Sequence, residues 1–440
     1  MKQTNNHIGK LFLGSALLLL LLALCFGLLA SLTYLFPDFL KDSFNFTTLR
    51  PLHVSMAMFW ILLGASGCVY SGIQYLNKTP VSEKLAYLQW ILWIIAISGI
   101  LFSYFTKNFG GREYWEFKPV WALPIALAWI LFLINFFTAF KKIGEWPVYI
   151  WMWMTGILFF LFTFIENYLW IFPYFRSHFI TDMTIQWKVN GSLVGAWNQL
   201  LYGTAFFLMD KITNTQNTGK SKLAFLMYFL GLFNLMFNWG HHIYTLPTAP
   251  FIKYLGYIVS MTEWVFFVKI IYSWKSTVQS FQKHYHYFPY RFLMAADFWV
   301  FINMGQAILM SIPAINIYTH GTHITVAHAM GTTIGINSMI LFAACFEFLN
   351  FPKDKSAIRF PNGLFWLLQL SLLVFWLSLN LAGIQKGIWQ LNSPQSSFAV
   401  MMDSLRPYFT LFFISGLGLA FALGGLAVIL MWQTWKKASP

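Results

Sequence analysis

Apolar residues run along this chain in blocks far longer than a strand or an amphipathic helix needs, broken by short polar stretches. A span of hydrocarbon of about 30 Å takes about 20 helical residues. Twelve blocks meet that length, at 11–34, 52–77, 87–106, 119–140, 147–173, 186–209, 222–244, 252–274, 290–313, 320–348, 361–385 and 407–433. Backbone polar groups in lipid must be satisfied within the segment, so each block is predicted to be a helix. The fold class is therefore all-α, a polytopic membrane protein of about twelve spans. The connections are short and no repeat or low-complexity segment divides them, so residues 1–440 are expected to form a single domain. The first block follows the basic stretch MKQTNNHIGK, yet it is longer than a signal-peptide core and no A-x-A-like cleavage site follows it. It reads as a retained span.

Composition agrees: 58% of the 440 residues are hydrophobic, 20% aromatic and only 10% charged, against about 25% charged in ordinary soluble domains. The net charge of +14 is scattered over loops rather than gathered in a patch, which argues against a nucleic-acid partner and for membrane topology. With the N-terminus inside, most lysines and arginines fall on the inner side. These include Lys84, Lys211, Lys220, Lys222, Lys275, Lys283, Arg291, Lys353 and Arg359. Both termini are then cytoplasmic. Cys25, Cys68 and Cys345 all lie in apolar blocks, and there is no C-x-x-C-H haem-attachment motif.

Ionisable residues inside such blocks are costly and mark function by default. The set is His53, Glu166, His241, His242, Glu263, Asp297, His328 and Glu347, with His320 and His323 at one helix end. In THGTHITVAHAMG, His328 and Met330 are two apart, about 200° around a helix, so they face opposite ways. Both side-chain types ligate haem iron. One helix could thus carry a haem on each flank, with His53 reaching one haem and the pair His241–His242 holding a metal beside the other. The plainer alternatives stay open. A lone intramembrane histidine is also an ordinary interhelical hydrogen bond, and Met330 alone is also core filler. Glu347, near a helix end, is expected to snorkel to the interface, and Asp297 to be an interfacial charge.

The stretches RPLHVSMAMFW (50–60), GREYWEF (111–117), FIENYLW (164–170), WGHHIYT (239–245) and THGTHITVAHAMG (319–331) together resemble the haem-copper oxidase superfamily. Within it they resemble the large catalytic subunit of bacterial nitric oxide reductase, over essentially the whole chain. The resemblance implies a haem-copper oxidase subunit I-like fold in the bacterial inner (cytoplasmic) membrane. It implies a low-spin haem b on His53, a high-spin haem b on His328, and a non-haem iron on His241 and His242. Glu113, with Glu116 nearby, matches a calcium site, and Glu166 matches an acid of the family and is carried as a catalytic candidate. Glu263, in SMTEWVFF, matches an active-site acid that would donate a proton or orient a water.

The chain also departs from the family pattern. The family's H-L-W-V-E-G-x-x-E reads NGSLVGAWN here (190–198), so Asn190 replaces a metal-binding histidine, Val194 the metal-binding glutamate, and Asn198 a further glutamate. Met330 stands where a second haem-ligating histidine is usual, and a methionine axial ligand raises the haem potential. Asn190 is carried as a metal ligand, and two imidazoles also suit copper. The tyrosine of oxygen reductases is missing from its two usual places, which are Val194 and Leu235 here. The implied activity is reduction of two nitric oxide molecules to N2O and water. A membrane-anchored cytochrome c-type subunit is the implied electron donor, with nitric oxide and membrane lipid the other partners. The lost ligands leave two further readings: a nitric oxide dismutase-like enzyme forming N2 and O2, and a catalytically altered homologue acting in assembly or regulation. A transporter of twelve spans would show internal repeats or broken helices, and the aligned metal-binding positions do not belong to one.

Overall fold

The computed structural model describes all residues except 1–5, 77–80, 141–144, 263, 350, 393–395 and 437–440. Helix dominates, and no strand occurs among the described residues; the one isolated bridge joins Arg112 to Trp115. Ten helical segments are long and apolar enough to cross a membrane. They are His7–Leu35, Phe46–Leu76, Glu83–Phe105, Pro119–Phe140, Val148–Ile171, Lys222–Ile243, Tyr287–Ser311, His323–Phe348, Ala357–Asn392 and Arg406–Gln433. Each coincides with a predicted block.

The two remaining blocks, the sixth and eighth, are helical but more polar. Phe179–Thr213 carries Asp182, Lys188, Asp210 and Lys211, and the eighth position holds the helices Pro250–Thr262 and Trp264–Thr277. The chain is thus a multi-pass membrane protein, with the sixth span relying on internal partners for its charges. In the apolar windows of the second and tenth spans, 83% and 72% of residues are buried, against 33% for the third. The second and tenth spans are therefore the most enclosed, and the third and seventh, the latter 22% buried, the least.

The helix ends follow local chemistry. Ser221 accepts from the Ala224 amide and Ser397 from the Val400 amide, which caps two N-termini. The sixth span ends at Asn214 in the left-handed conformation, φ 55°, a common way to close a helix C-terminus. Asp210 then binds the turn that follows, its two oxygens accepting from the Thr218 and Gly219 amides at 3.0 and 2.9 Å.

The chain groups into two compact units that alternate along the sequence. The first comprises Met1–Ala16, Ile61–Leu293 and Ile340–Phe348; the second comprises Leu17–Trp60, Met294–Met339 and Leu349–Pro440. In the first, Val148–Glu166 packs along Phe179–Thr213, and Glu83–Phe105 packs against Ala122–Phe140. Trp93, Trp129 and Trp153 are fully buried there. In the second, Lys355–Asn392 packs against both Arg406–Lys436 and His323–Met330.

Glu347 corrects an expectation. It does not snorkel outward: its side chain is 9% exposed and accepts from Lys211 Nζ at 3.0 Å and His286 Nδ1 at 2.8 Å. Lys211 also lies over the rings of Tyr75 and Phe348, at 4.7 and 5.0 Å. Removing one partner of a buried ion pair leaves an uncompensated charge, which typically costs about 3–5 kcal/mol, whereas replacing the pair with apolar groups is often neutral. Glu347→Ala is therefore expected to lower unfolding stability in detergent by about 3 kcal/mol or more. The double variant Glu347→Leu with Lys211→Met is expected to recover most of that loss. Equal stability of Glu347→Ala and the parent protein would contradict the clamp.

Candidate haem and metal centre

The second span brings His53 to a defined environment in the second unit. Its Nδ1 lies 2.8 Å from the Ala23 carbonyl of the first span. A carbonyl only accepts, so Nδ1 carries the proton and the lone pair of the neutral imidazole sits on Nε2. Metal-ligating histidines are held in the same way, with one ring nitrogen donating to a carbonyl and the other facing the metal. One turn on from Ala23, Gly27 makes the approach feasible: a Cβ there would lie 2.7 Å from His53 Nδ1 and 2.8 Å from Cε1. Only hydrogen fits between the first span and the imidazole.

Met330 ends the helix His323–Met330, and a π-helical stretch, Gly331–Ser338, follows at once. Such widened turns cluster at functional sites. Ser338 donates to the Thr333 carbonyl at 2.8 Å and accepts from Trp60 Nε1 at 2.9 Å. Trp60 is seven residues beyond His53, and Ser338 eight beyond Met330. The Trp60–Ser338 bond ties the two spans together on the order of 10 Å along each helix from His53 and Met330.

His328, on the same helix as Met330, has a buried Nδ1 with no partner in strict hydrogen-bond geometry among the described residues, and the ring interacts with the Asn303 backbone. Its neighbour in the motif, His323, is used differently. That ring packs edge-on against Tyr34 and Phe409, with centroids 5.9 and 5.1 Å away. His320 lies beyond the span, and burial holds its imidazole below the ordinary histidine value.

His241 and His242 belong to the first unit. The seventh span tightens from α-helix to a 3-10 turn at Asn238–Ile243, which carries both rings with centroids 4.2 Å apart. His241 Nδ1 lies 2.8 Å from Asn238 Oδ1 and 3.4 Å from Ser260 Oγ; Ser260 also donates to Asn238 Oδ1. With the amide oxygen as acceptor, His241 also keeps its proton on Nδ1 and presents Nε2. Close backbone contact holds this turn to Pro250–Thr262. A Cβ on Gly240 would meet the Ile252 carbonyl at 2.7 Å, and one on Gly256 would meet the His241 amide nitrogen at 2.9 Å. His242 stacks on Trp187 of the sixth span, with planes 13° apart and centroids 5.7 Å apart. Asn190 is buried; Gln186 Nε2 approaches its Oδ1 at 3.4 Å, and its Nδ2 has no partner among the described residues.

The acids are less convergent. Glu166 is engaged by Lys188 in an ion pair joining the fifth and sixth spans. Glu113 is exposed. Glu116 Oε1 accepts from the Tyr114 amide at 3.2 Å, and Arg112 pairs with Asp182 at 2.8 Å. Glu263 lies outside the described residues. Among the described residues, no three His, Cys, Asp or Glu side chains gather as a metal site. The residues present thus fit haem ligation through His53 and a metal on two imidazoles, but they do not assemble a calcium cage around Glu113. Ala23, Gly27, Asn238 and Ser260 hold the key rings, and none of them stands out in the sequence. A backbone carbonyl leaves no trace there, and a glycine in a span is too common to be noticed.

Against known proteins, residues 7–418 match the family model for cytochrome c and quinol oxidase polypeptide I. The chain belongs to this haem-copper oxidase subunit I family, a family of membrane oxidoreductases. It is 24% identical to a nitric oxide reductase subunit of Stutzerimonas stutzeri, covering 94% of this chain and 92% of the relative. It is 21% identical to cytochrome c oxidase subunit 1 of Rhodobacter capsulatus, covering 91% and 79%. A cryo-EM structure of a heme-copper terminal oxidase dimer superposes with a TM-score of 0.76 over 99% of this chain and 84% of that chain, at 14% identity. The last likeness establishes the fold alone.

Gly27→Ala tests the haem environment. The added methyl is expected to push the His53 ring off Ala23, so the purified variant should lose low-spin haem absorption while keeping its helical circular dichroism. An unchanged low-spin spectrum would contradict the role of Gly27.

Proposed function

We propose that this chain is the catalytic subunit of a membrane nitric oxide reductase, converting two nitric oxide molecules to N2O and water. The observation that carries this reading is what stands at the two tyrosine places of oxygen reductases. The nitric oxide reductase relative is matched nearly end to end, 94% of one chain on 92% of the other, but a cbb3-type oxidase subunit is matched almost as fully, 93% on 90%, so length does not separate the two activities. The apolar residues Val194 and Leu235, at the two places where oxygen reductases keep their tyrosine, weigh against four-electron oxygen reduction.

In this reading His53 and Met330 hold a low-spin haem b, His328 a high-spin haem b, and His241 and His242 a non-haem metal, iron or copper, with Asn190 beside it. When bound, such groups would supply the electrons for nitric oxide reduction. The protein's own contribution is orientation. The Ala23 carbonyl and Asn238 amide fix which nitrogen of His53 and His241 faces the metal, and the Trp60–Ser338 tether ties the second span to the tenth. Glu263 is assigned proton donation. Glu166, through Lys188, holds the fifth span to the sixth, close to Asn190. Residues 1–440 act as one functional domain in a bacterial inner membrane, both termini cytoplasmic, with a membrane-anchored cytochrome c-type subunit as donor.

The replacement of two metal ligands by Asn190 and Val194 favours one alternative, a nitric oxide dismutase-like reaction giving N2 and O2, which needs no net electrons. Mass-spectrometric product analysis after adding isotopically labelled nitric oxide to the reduced complex separates the readings. N2O is expected; N2 with O2 would establish the alternative, and no gas from a haem-loaded complex would leave an assembly role. Replacing the axial methionine gives a second test. Met330→His should lower the low-spin haem potential in a redox titration, because methionine ligation raises it. An unchanged potential would remove Met330 from the ligand set.

A further inference from the structure

We infer that Asn190 serves the His241–His242 site as a hydrogen-bond donor to whatever small ligand binds there, not as a ligand of the metal itself. The inference rests on the metal-binding reading above and deepens it.

Three observations converge on the amide. It lies on the helix face that covers the histidine turn. Trp187 stacks on His242, and a Cβ at Gly191 would sit 3.0 Å from Trp239 Cβ and 3.8 Å from His242 Cδ2. Asn190 is three residues from Trp187, which puts it on the Trp187 side of that face. Its oxygen, the atom that could ligate a metal, is already approached by Gln186 Nε2 at 3.4 Å. Its nitrogen is buried without a partner among the described residues, in a side chain only 7% exposed. An amide nitrogen has no free lone pair for a metal; it can only donate. Leaving a buried donor unmatched carries a desolvation penalty, and such orphans in native proteins call for an explanation. A ligand with an exposed lone pair on the neighbouring metal supplies one.

The class of ligand follows: a small acceptor, either an anion or neutral diatomic with a lone pair, or a water molecule. The residue substitution then has a chemical meaning. The histidine usual at this position offers a metal a lone pair; Asn190 offers the metal's ligand an N–H.

Azide is a suitable probe, because its stretching vibration responds to hydrogen bonding. Full-length wild-type protein and the variants Asn190→Ala and Asn190→Asp would be purified with haem content and circular dichroism as folding controls. The second metal would be counted in each, and the infrared band of bound azide recorded in H2O and D2O. Both variants should keep the second metal at wild-type stoichiometry. The azide band should shift on deuteration in the wild type and lose that shift in both variants, since neither side chain donates. Asn190→Asp is nearly isosteric, so it separates loss of the donor from disturbed packing. If a water intervenes between Asn190 and azide, the wild-type deuterium shift should survive in both variants, and this would overturn direct donation. Loss of the metal in Asn190→Ala would make Asn190 a ligand and overturn the inference while leaving the reductase reading intact. Wild-type protein with haem but no second metal would overturn both.

Discussion

A neutral imidazole in a membrane interior has one nitrogen that must donate and one that must accept, and hydrocarbon offers neither service. Much of the interior of this protein answers that constraint. His53 gives its proton to the Ala23 carbonyl, and His241 gives its proton to Asn238. In each case the nitrogen that remains carries a lone pair. The tautomer of each ring is set by the protein alone, since the partner that fixes it is an acceptor.

Holding a ring in that state demands close packing, and the structure supplies it where side chains are smallest. The first span reaches the second across Gly27, and the histidine turn reaches Pro250–Thr262 across Gly240 and Gly256. Longer-range order comes from a few polar tethers in apolar surroundings, such as Trp60 to Ser338. The ion cluster of Lys211, Glu347 and His286 serves a different end. It lets a polar sixth span remain among apolar neighbours, while the same helix carries Asn190 and Trp187 to the histidine turn.

Much of this is legible in the sequence, because the signals are large. Apolar blocks of span length locate twelve helical positions, and the adjacent histidines with the His328–Met330 spacing point to metal chemistry by themselves. The sixth and eighth helices stand out less, since Asn190, Asn198 and Gln199 dilute the apolar signal of the one and Lys253 and Lys269 that of the other. Glu347 reads wrongly as an interfacial acid because its distance from a helix end is visible in sequence, but the approach of Lys211 and His286 from distant segments is not. The supporting contacts are beyond reach for a related reason. The Ala23 carbonyl belongs to the backbone, and the orphaned nitrogen of Asn190 is defined by what fails to approach it in space.

In the proposed reductase, the second and tenth spans present His53 and Met330 as the two axial ligands of one haem. Near-infrared magnetic circular dichroism of the oxidised, purified protein reads the axial pair directly. A low-spin haem with a methionine-to-iron charge-transfer band is expected; a bis-histidine signature, or no low-spin haem at all, would rule this ligation out.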